Sequence, residues 1–212
     1  MFYEDNPDDA FRFGDIVRGF VLSASKIDFT SFISSHKDYH IEVNQPDFAA
    51  ILSPCCSIGN HTLSLSPLIE IPASFFDNPY LMEDLERLNH PMSPQQAVPP
   101  DIWTQMSDEE KQRRLDLSHP KSFAFVEYFI YSPHDLLPEY KLKSKKENGQ
   151  IKTGFYMIDF RRLYKIVCKQ VNSAKQSPTK TKVLQLSIQT RANLRDKFVN
   201  YFSRVPEEDN VS

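Results

Sequence analysis

Gly14 to Leu22, GDIVRGFVL, follows a turn-permissive glycine and is dense in β-branched and aromatic residues, so it predicts a strand. Ala49 to Ser53, AAILS, reads as a short buried strand, stopped by Pro54 and by the turn residues around Gly59 and Asn60. Thr62 to Ile71 then alternates, with Leu63, Leu65 and Leu68 set among serines until Glu70 and Pro72 end the pattern. Between the first two strands, Ser23 to His40 is polar and reads as irregular. Three short strands joined by tight turns predict a small barrel or a strongly bent sheet.

Downstream the texture changes. Residues 74–120 are proline-rich and carry two helical patterns. Tyr80 to Asn89 places Leu81, Leu85 and Leu88 on one stripe, and Ser107-Asp108-Glu109-Glu110 is a capping box that starts a helix at Asp108. The stretch reads as a helical insertion anchored by Trp103. Strands return at Phe123 to Tyr131, Gly154 to Phe160 and Lys182 to Ile188, while Arg161 to Gln170 fits strand and helix alike. Lys141 to Lys152, with Asn148-Gly149 near its end, reads as an extended hairpin tip held in solvent by charge repulsion. Finally, Thr190 caps a predicted helix in which Leu194, Phe198, Tyr201, Phe202 and Val205 form one apolar stripe.

The chain has 212 residues, 40% of them hydrophobic, with 16 Phe, 9 Tyr and 1 Trp, a composition that supports an aromatic-rich core and excludes a disordered chain. No apolar run approaches the roughly 18 residues that span a bilayer, and the N-terminus is acidic where a signal peptide is basic and then apolar, so a cytoplasmic protein without a membrane partner is expected. Three cysteines without an even framework predict free thiols.

The net charge of −3 conceals a split. Residues 1–140 hold 9 Lys/Arg against 22 Asp/Glu, whereas residues 141–204 hold 16 against 3. Such asymmetry predicts a polyanionic partner, or two lobes that face each other electrostatically. Lys141, Lys143, Lys145, Lys146, Arg161, Arg162, Lys165, Arg191 and Arg195, interspersed with Tyr140, Phe155, Tyr156 and Tyr164, are the candidate nucleic-acid-binding residues, because phosphates need cations and bases stack on aromatic faces. RNA or single-stranded DNA is the implied partner; the plainer reading is a solvated surface paired with the acidic front of the chain.

Ser53 to His61, SPCCSIGNH, holds two neighbouring thiols and a histidine. Cys55, Cys56 and His61, with His36 or His40, are the candidate metal ligands, and a cysteine with a histidine base is the candidate nucleophile. Adjacent cysteines on an extended segment point in opposite directions, which favours a plain structural role, and no cofactor is expected. Asp159-Phe160-Arg161-Arg162 reads as a strand-end salt bridge, and with five glycines there is no phosphate-binding loop.

Phe13-Gly14-Asp15-Ile16-Val17, Ala50-Ile51-Leu52-Ser53 and Leu63-Ser64-Leu65-Ser66-Pro67-Leu68 together resemble the opening of the PemK and MazF toxins, which begin with a GDIV strand, an ALVLS strand and a VVVAPLT strand. The resemblance covers Phe11 to Ile71 and implies an SH3-like barrel. Those toxins cut RNA with an arginine in the loop before the second strand and a Ser or Thr after the third. Here Asn44 to Phe48 contains no arginine and Ile69 follows Leu68, so Lys37 and Ser66 are the nearest substitutes.

The expectation is therefore an α+β chain folded as a single elaborated domain over 1–212: a mainly antiparallel, SH3-like, partly open barrel with the 74–120 helical insertion, a C-terminal amphipathic helix and an acidic tail at 206–212. Its expected role is non-catalytic binding of nucleic acid or another polyanion, and the resemblance to the toxins implies an accessory part of a bacterial conflict or stress system. The alternatives are an endoribonuclease using Lys37 and Ser66, and a protein-interaction module that self-associates through its acidic and basic faces.

Overall fold

The computed structural model describes residues 1–27, 39–59, 62–76, 81, 84–98, 100–116, 123–143, 150–167 and 181–203. In chain order its elements are β1 (Ile16–Arg18), β2 (Leu22–Ile27), β3 (Tyr39–Asn44), β4 (Ala49–Ile51), α1 (Cys55–Gly59), β5 (Thr62–Pro67), β6 (Ile69–Glu70) and α2 (Ala73–Phe76). A 3-10 turn at Leu85–Asn89 precedes α3 (Pro100–Gln105) and α4 (Asp108–Asp116). Then come β7 (Tyr128–Tyr131), β8 (Tyr140–Lys143), β9 (Gln150–Thr153), β10 (Tyr156–Asp159), β11 (Tyr164–Val167), β12 (Thr181–Leu184) and α5 (Ile188–Phe202). The fold is α+β with antiparallel sheets, divided into two compact units.

The first unit comprises Tyr3–Leu68 and Arg162–Ser187. Its sheet runs β11-β5-β4-β1-β12, with every pair antiparallel and the last two strands of the chain at the outer positions. Gly14 sits at φ 86°, which glycine adopts without a Cβ clash, and this turn lets its N–H donate to Ile51 O at 2.6 Å while Ile51 N–H donates back to Asp15 O at 3.0 Å. Phe11, Val17, Phe20, Leu22, Ile51, Ile58, Leu63 and Leu65 fill the core beneath the sheet.

Three expectations in this unit are corrected. GDIVRGFVL is not one strand: Gly19 at φ 87° ends β1, Phe20 turns into the core, and β2 starts at Leu22. The stretch read as irregular contains β2 and the start of β3, which pair from Leu22↔Asn44 to Ile27↔Tyr39; residues 28–38 between them lie outside the described residues. Cys55 to Gly59 is a short helix rather than an extended turn, because the N–H groups of Ser57 and Ile58 both close on Pro54 O and bury Ile58.

The second unit comprises Ile69–Arg161 and the chain from Ile188 onward. It carries the three-stranded antiparallel sheet β6-β10-β7 over Ile71, Phe75, Leu81, Leu85, Leu88, Ala124, Ile130 and Met157. The Leu81, Leu85, Leu88 stripe is buried as expected, although Leu85–Asn89 is a 3-10 turn capped by Asp84, whose side chain accepts from Glu86 N–H at 2.9 Å. Asn89 then acts as a strand surrogate: its Nδ2 donates to Ile130 O at 2.7 Å and its Oδ1 accepts Ile130 N–H at 2.8 Å. Ser107 caps α4 as expected, its Oγ accepting Glu110 N–H at 3.2 Å. Neither α3 nor α4 has a fully buried residue, and Trp103, the anchor the sequence suggested, is half-buried.

Phe123 to Tyr131 yields a strand only over its second half, because Phe125 adopts φ 44° and Tyr128 N–H closes a turn onto its carbonyl. In α5, Leu194 is buried and Phe198 and Tyr201 pack on Phe160 at ring distances of 5.2 and 5.7 Å. The helix begins at Ile188, placing Thr190 inside its first turn rather than at its cap. Phe202 is mostly exposed, and Val205 lies outside the described residues. No helix among the described residues is long and apolar enough to cross a membrane.

Candidate functional site

In the second unit, β8 and β9 form an antiparallel hairpin with the register Tyr140↔Thr153, Lys141↔Lys152, Leu142↔Ile151 and Lys143↔Gln150. Side chains alternate across a strand, so Lys141 and Lys143 share one face and the register adds Lys152 beside Lys141. All three are exposed, while Leu142 and Ile151 on the other face are half-buried. Glu139 forms an exposed ion pair with Lys152, a contact worth at most about 1 kcal/mol in water. Lys145 and Lys146, at the predicted tip, lie outside the described residues.

Two tyrosines fix the base of the hairpin. The Tyr140 hydroxyl accepts Ile71 N–H at 2.8 Å and donates to Phe155 O. Burial pushes its phenol up to about 12, which keeps that donor proton in place. The Tyr156 hydroxyl donates to Pro138 O at 2.7 Å, and the two rings meet edge-on at 5.2 Å.

The other predicted cations do not all join this face. Arg161 is held by its own strand end: Nε and Nη2 each donate to the Asp159 carboxylate at 2.8 Å, and Nη2 also reaches Tyr128 Oη at 2.7 Å. The bidentate carboxylate raises the guanidinium further above its ordinary value. Its charge is thus matched locally, as the salt-bridge reading had it. Arg191 and Arg195 lie on α5 in the same unit, whereas Arg162 and Lys165 belong to the first unit, where both are exposed.

Of the proposed catalytic pair, Ser66 has no solvent exposure within β5, opposite Ala50, and Lys37 lies outside the described residues. Cys55 and Cys56 occupy consecutive positions of α1, with Cys56 an exposed free thiol; His36 and His61 lie outside the described residues. Among the described residues, no group of three His, Cys, Asp or Glu side chains could hold a metal ion.

Two charged constellations escaped the sequence reading. In the first unit, fully buried Asp15 accepts Arg12 N–H and Lys182 Nζ, each at 2.8 Å, and Lys182 also donates to Ala10 O at 2.7 Å. Asp8 beside them is lowered to about 2, chiefly by the Arg12 guanidinium and then by Lys182. In the second unit, Lys197 is fully buried, donating to Leu88 O and to Ala124 O at 3.2 Å with the Phe123 ring centre 5.8 Å away. Leu194, Lys197 and Tyr201 at i, i+3 and i+7 put that lysine on the docked stripe, which was the available signal.

Comparison with protein-family models, with curated proteins and with solved structures finds no match. The geometry of the hairpin therefore carries the functional argument.

Proposed function

We propose that this protein binds a polyanion, single-stranded nucleic acid in particular, through the exposed face of the β8–β9 hairpin, and that it does so without catalysis. The observation that carries this reading is the ladder of Lys141, Lys143 and Lys152 on one solvent face. Like charges directly opposite each other destabilise a strand pair, and a backbone of phosphates turns that repulsion into attraction. Tyr140 and Tyr156 hold the base of the ribbon, so the cations are presented from a fixed platform.

The non-catalytic part is supported by Ser66, whose hydroxyl is shut away from solvent where a reacting phosphate would have to reach it. The fold relationship we favour for the first unit is an SH3-like barrel of the PemK and MazF kind. It is supported by the GDIV, AAILS and LSLS strands lying side by side as β1, β4 and β5. That relationship would place the protein among accessory components of bacterial conflict or stress systems.

The test is fluorescence anisotropy with labelled single-stranded RNA at low salt. Binding that weakens on Lys141→Ala and Lys143→Ala, with the labelled RNA left intact, supports the reading. Cleavage of the RNA, or no binding at low salt, contradicts it.

A further inference from the structure

We propose that the outward face of α5 is a docking seam for an acidic amphipathic helix of a partner protein. α5 already commits one face to its own unit, through Thr190, Leu194 and Lys197, all buried. On the opposite side Ile188, Ala192, Arg195, Val199 and Phe202 recur at alternating intervals of four and three, the spacing of a two-helix seam. Ile188, Val199 and Phe202 are 77%, 57% and 56% exposed. Single exposed apolar residues are ordinary, but Ile188 at one end and Val199 and Phe202 at the other, with the small side chain of half-buried Ala192 and Arg195 between them at heptad spacing along about 22 Å of helix, have the shape of a helix-binding stripe.

The occupant follows from Arg195, which is exposed at the middle of that stripe with Arg191 beside it. A second copy packed about a two-fold axis would set Arg195 against its own mate, and like charges at a seam are disfavoured. A phosphate backbone would satisfy the arginine but leave Ile188, Val199 and Phe202 in water. A bilayer would have to take up a guanidinium between apolar residues instead of at the edge of the apolar face. A helix with apolar side chains at its seam and a carboxylate at the central position satisfies both chemistries at once.

The probe is a synthetic three-heptad peptide with leucines at its seam positions and a glutamate at the central one, compared by anisotropy with the same peptide carrying lysine there. The glutamate peptide should bind with a dissociation constant of tens of micromolar, and the lysine peptide about tenfold or more weakly. Arg195→Glu should invert the preference, and Val199→Asp should abolish binding of both peptides while leaving the melting temperature unchanged, since Val199 faces solvent. Equal affinities for the two peptides would overturn the proposal. So would a dimer in sedimentation that Val199→Asp dissociates, or binding to phosphatidylserine vesicles or single-stranded RNA that Val199→Asp removes.

Discussion

Replacing Lys197 with methionine should exchange a pH-dependent stability for a flat one. The ammonium has no exposure, and burial pulls its proton affinity down from 10.5 to about 7, with Glu127 opposing the shift. Below about 7 the folded and unfolded chains both carry the proton, and the full penalty of burying the cation is present. Between about 7 and 10.5 the unfolded chain holds a proton that the folded chain has released, so stability rises with pH; above 10.5 it levels off. At about 1.4 kcal/mol per pH unit, the gain across that window is at most about 5 kcal/mol. The carbonyls of Leu88 and Ala124 and the face of Phe123 reduce it, because they favour the charged form. Lys197→Met keeps the packing volume but leaves two carbonyls without their donor, at about 1 to 3 kcal/mol each. Urea unfolding followed by Trp103 fluorescence, from pH 6 to 10, reads the result. The wild-type midpoint should climb relative to the variant, whose own curve lacks that rise. Parallel pH profiles for the two proteins would refute the reasoning.

Three further substitutions test the frameworks of the two units. Asn89→Ala removes both hydrogen bonds to Ile130 from a buried site and should cost about 2 to 4 kcal/mol, read as a lowered urea midpoint; a midpoint within about 0.5 kcal/mol of wild type would mean that the amide does not act as a strand surrogate. Lys182→Met strips buried Asp15 of its cation and should cost about 3 to 5 kcal/mol at pH 7. The Asp8 carboxylate, lowered from 3.8 to about 2, gives stability that is present above 3.8 and lost as pH falls towards 2, so Asp8→Asn should flatten the acid limb of the stability curve, and an unaltered limb would argue against the pairing.

What the sequence revealed follows from which faces are buried. β4, β5 and β10 were legible because their apolar residues sit in the core and leave a pattern. The β2–β3 ribbon was missed although Tyr39, Ile41 and Val43 alternate with His40, Glu42 and Asn44, and that alternation marks no buried side, since Ile41 and Val43 face solvent. Gly19 and Phe125 broke predicted strands through positive φ, which strand propensity does not register. The lysine pair at i and i+2 in Tyr140–Lys143 was visible, but Lys152 joins it only through the hairpin register. The charge split was real as a count, yet counting cannot show that Arg161 is clasped by Asp159 or that Lys197 is buried.

The central claim rests on the lysine face of the β8–β9 hairpin, and the salt dependence of RNA binding tests it most directly. Neutralising three phosphates of a single strand contributes about −2 to the slope of log K against log salt. The triple variant Lys141→Ala/Lys143→Ala/Lys152→Ala should lose about that much slope and most of its affinity at low salt. A triple variant that binds single-stranded RNA with the wild-type slope would contradict the account.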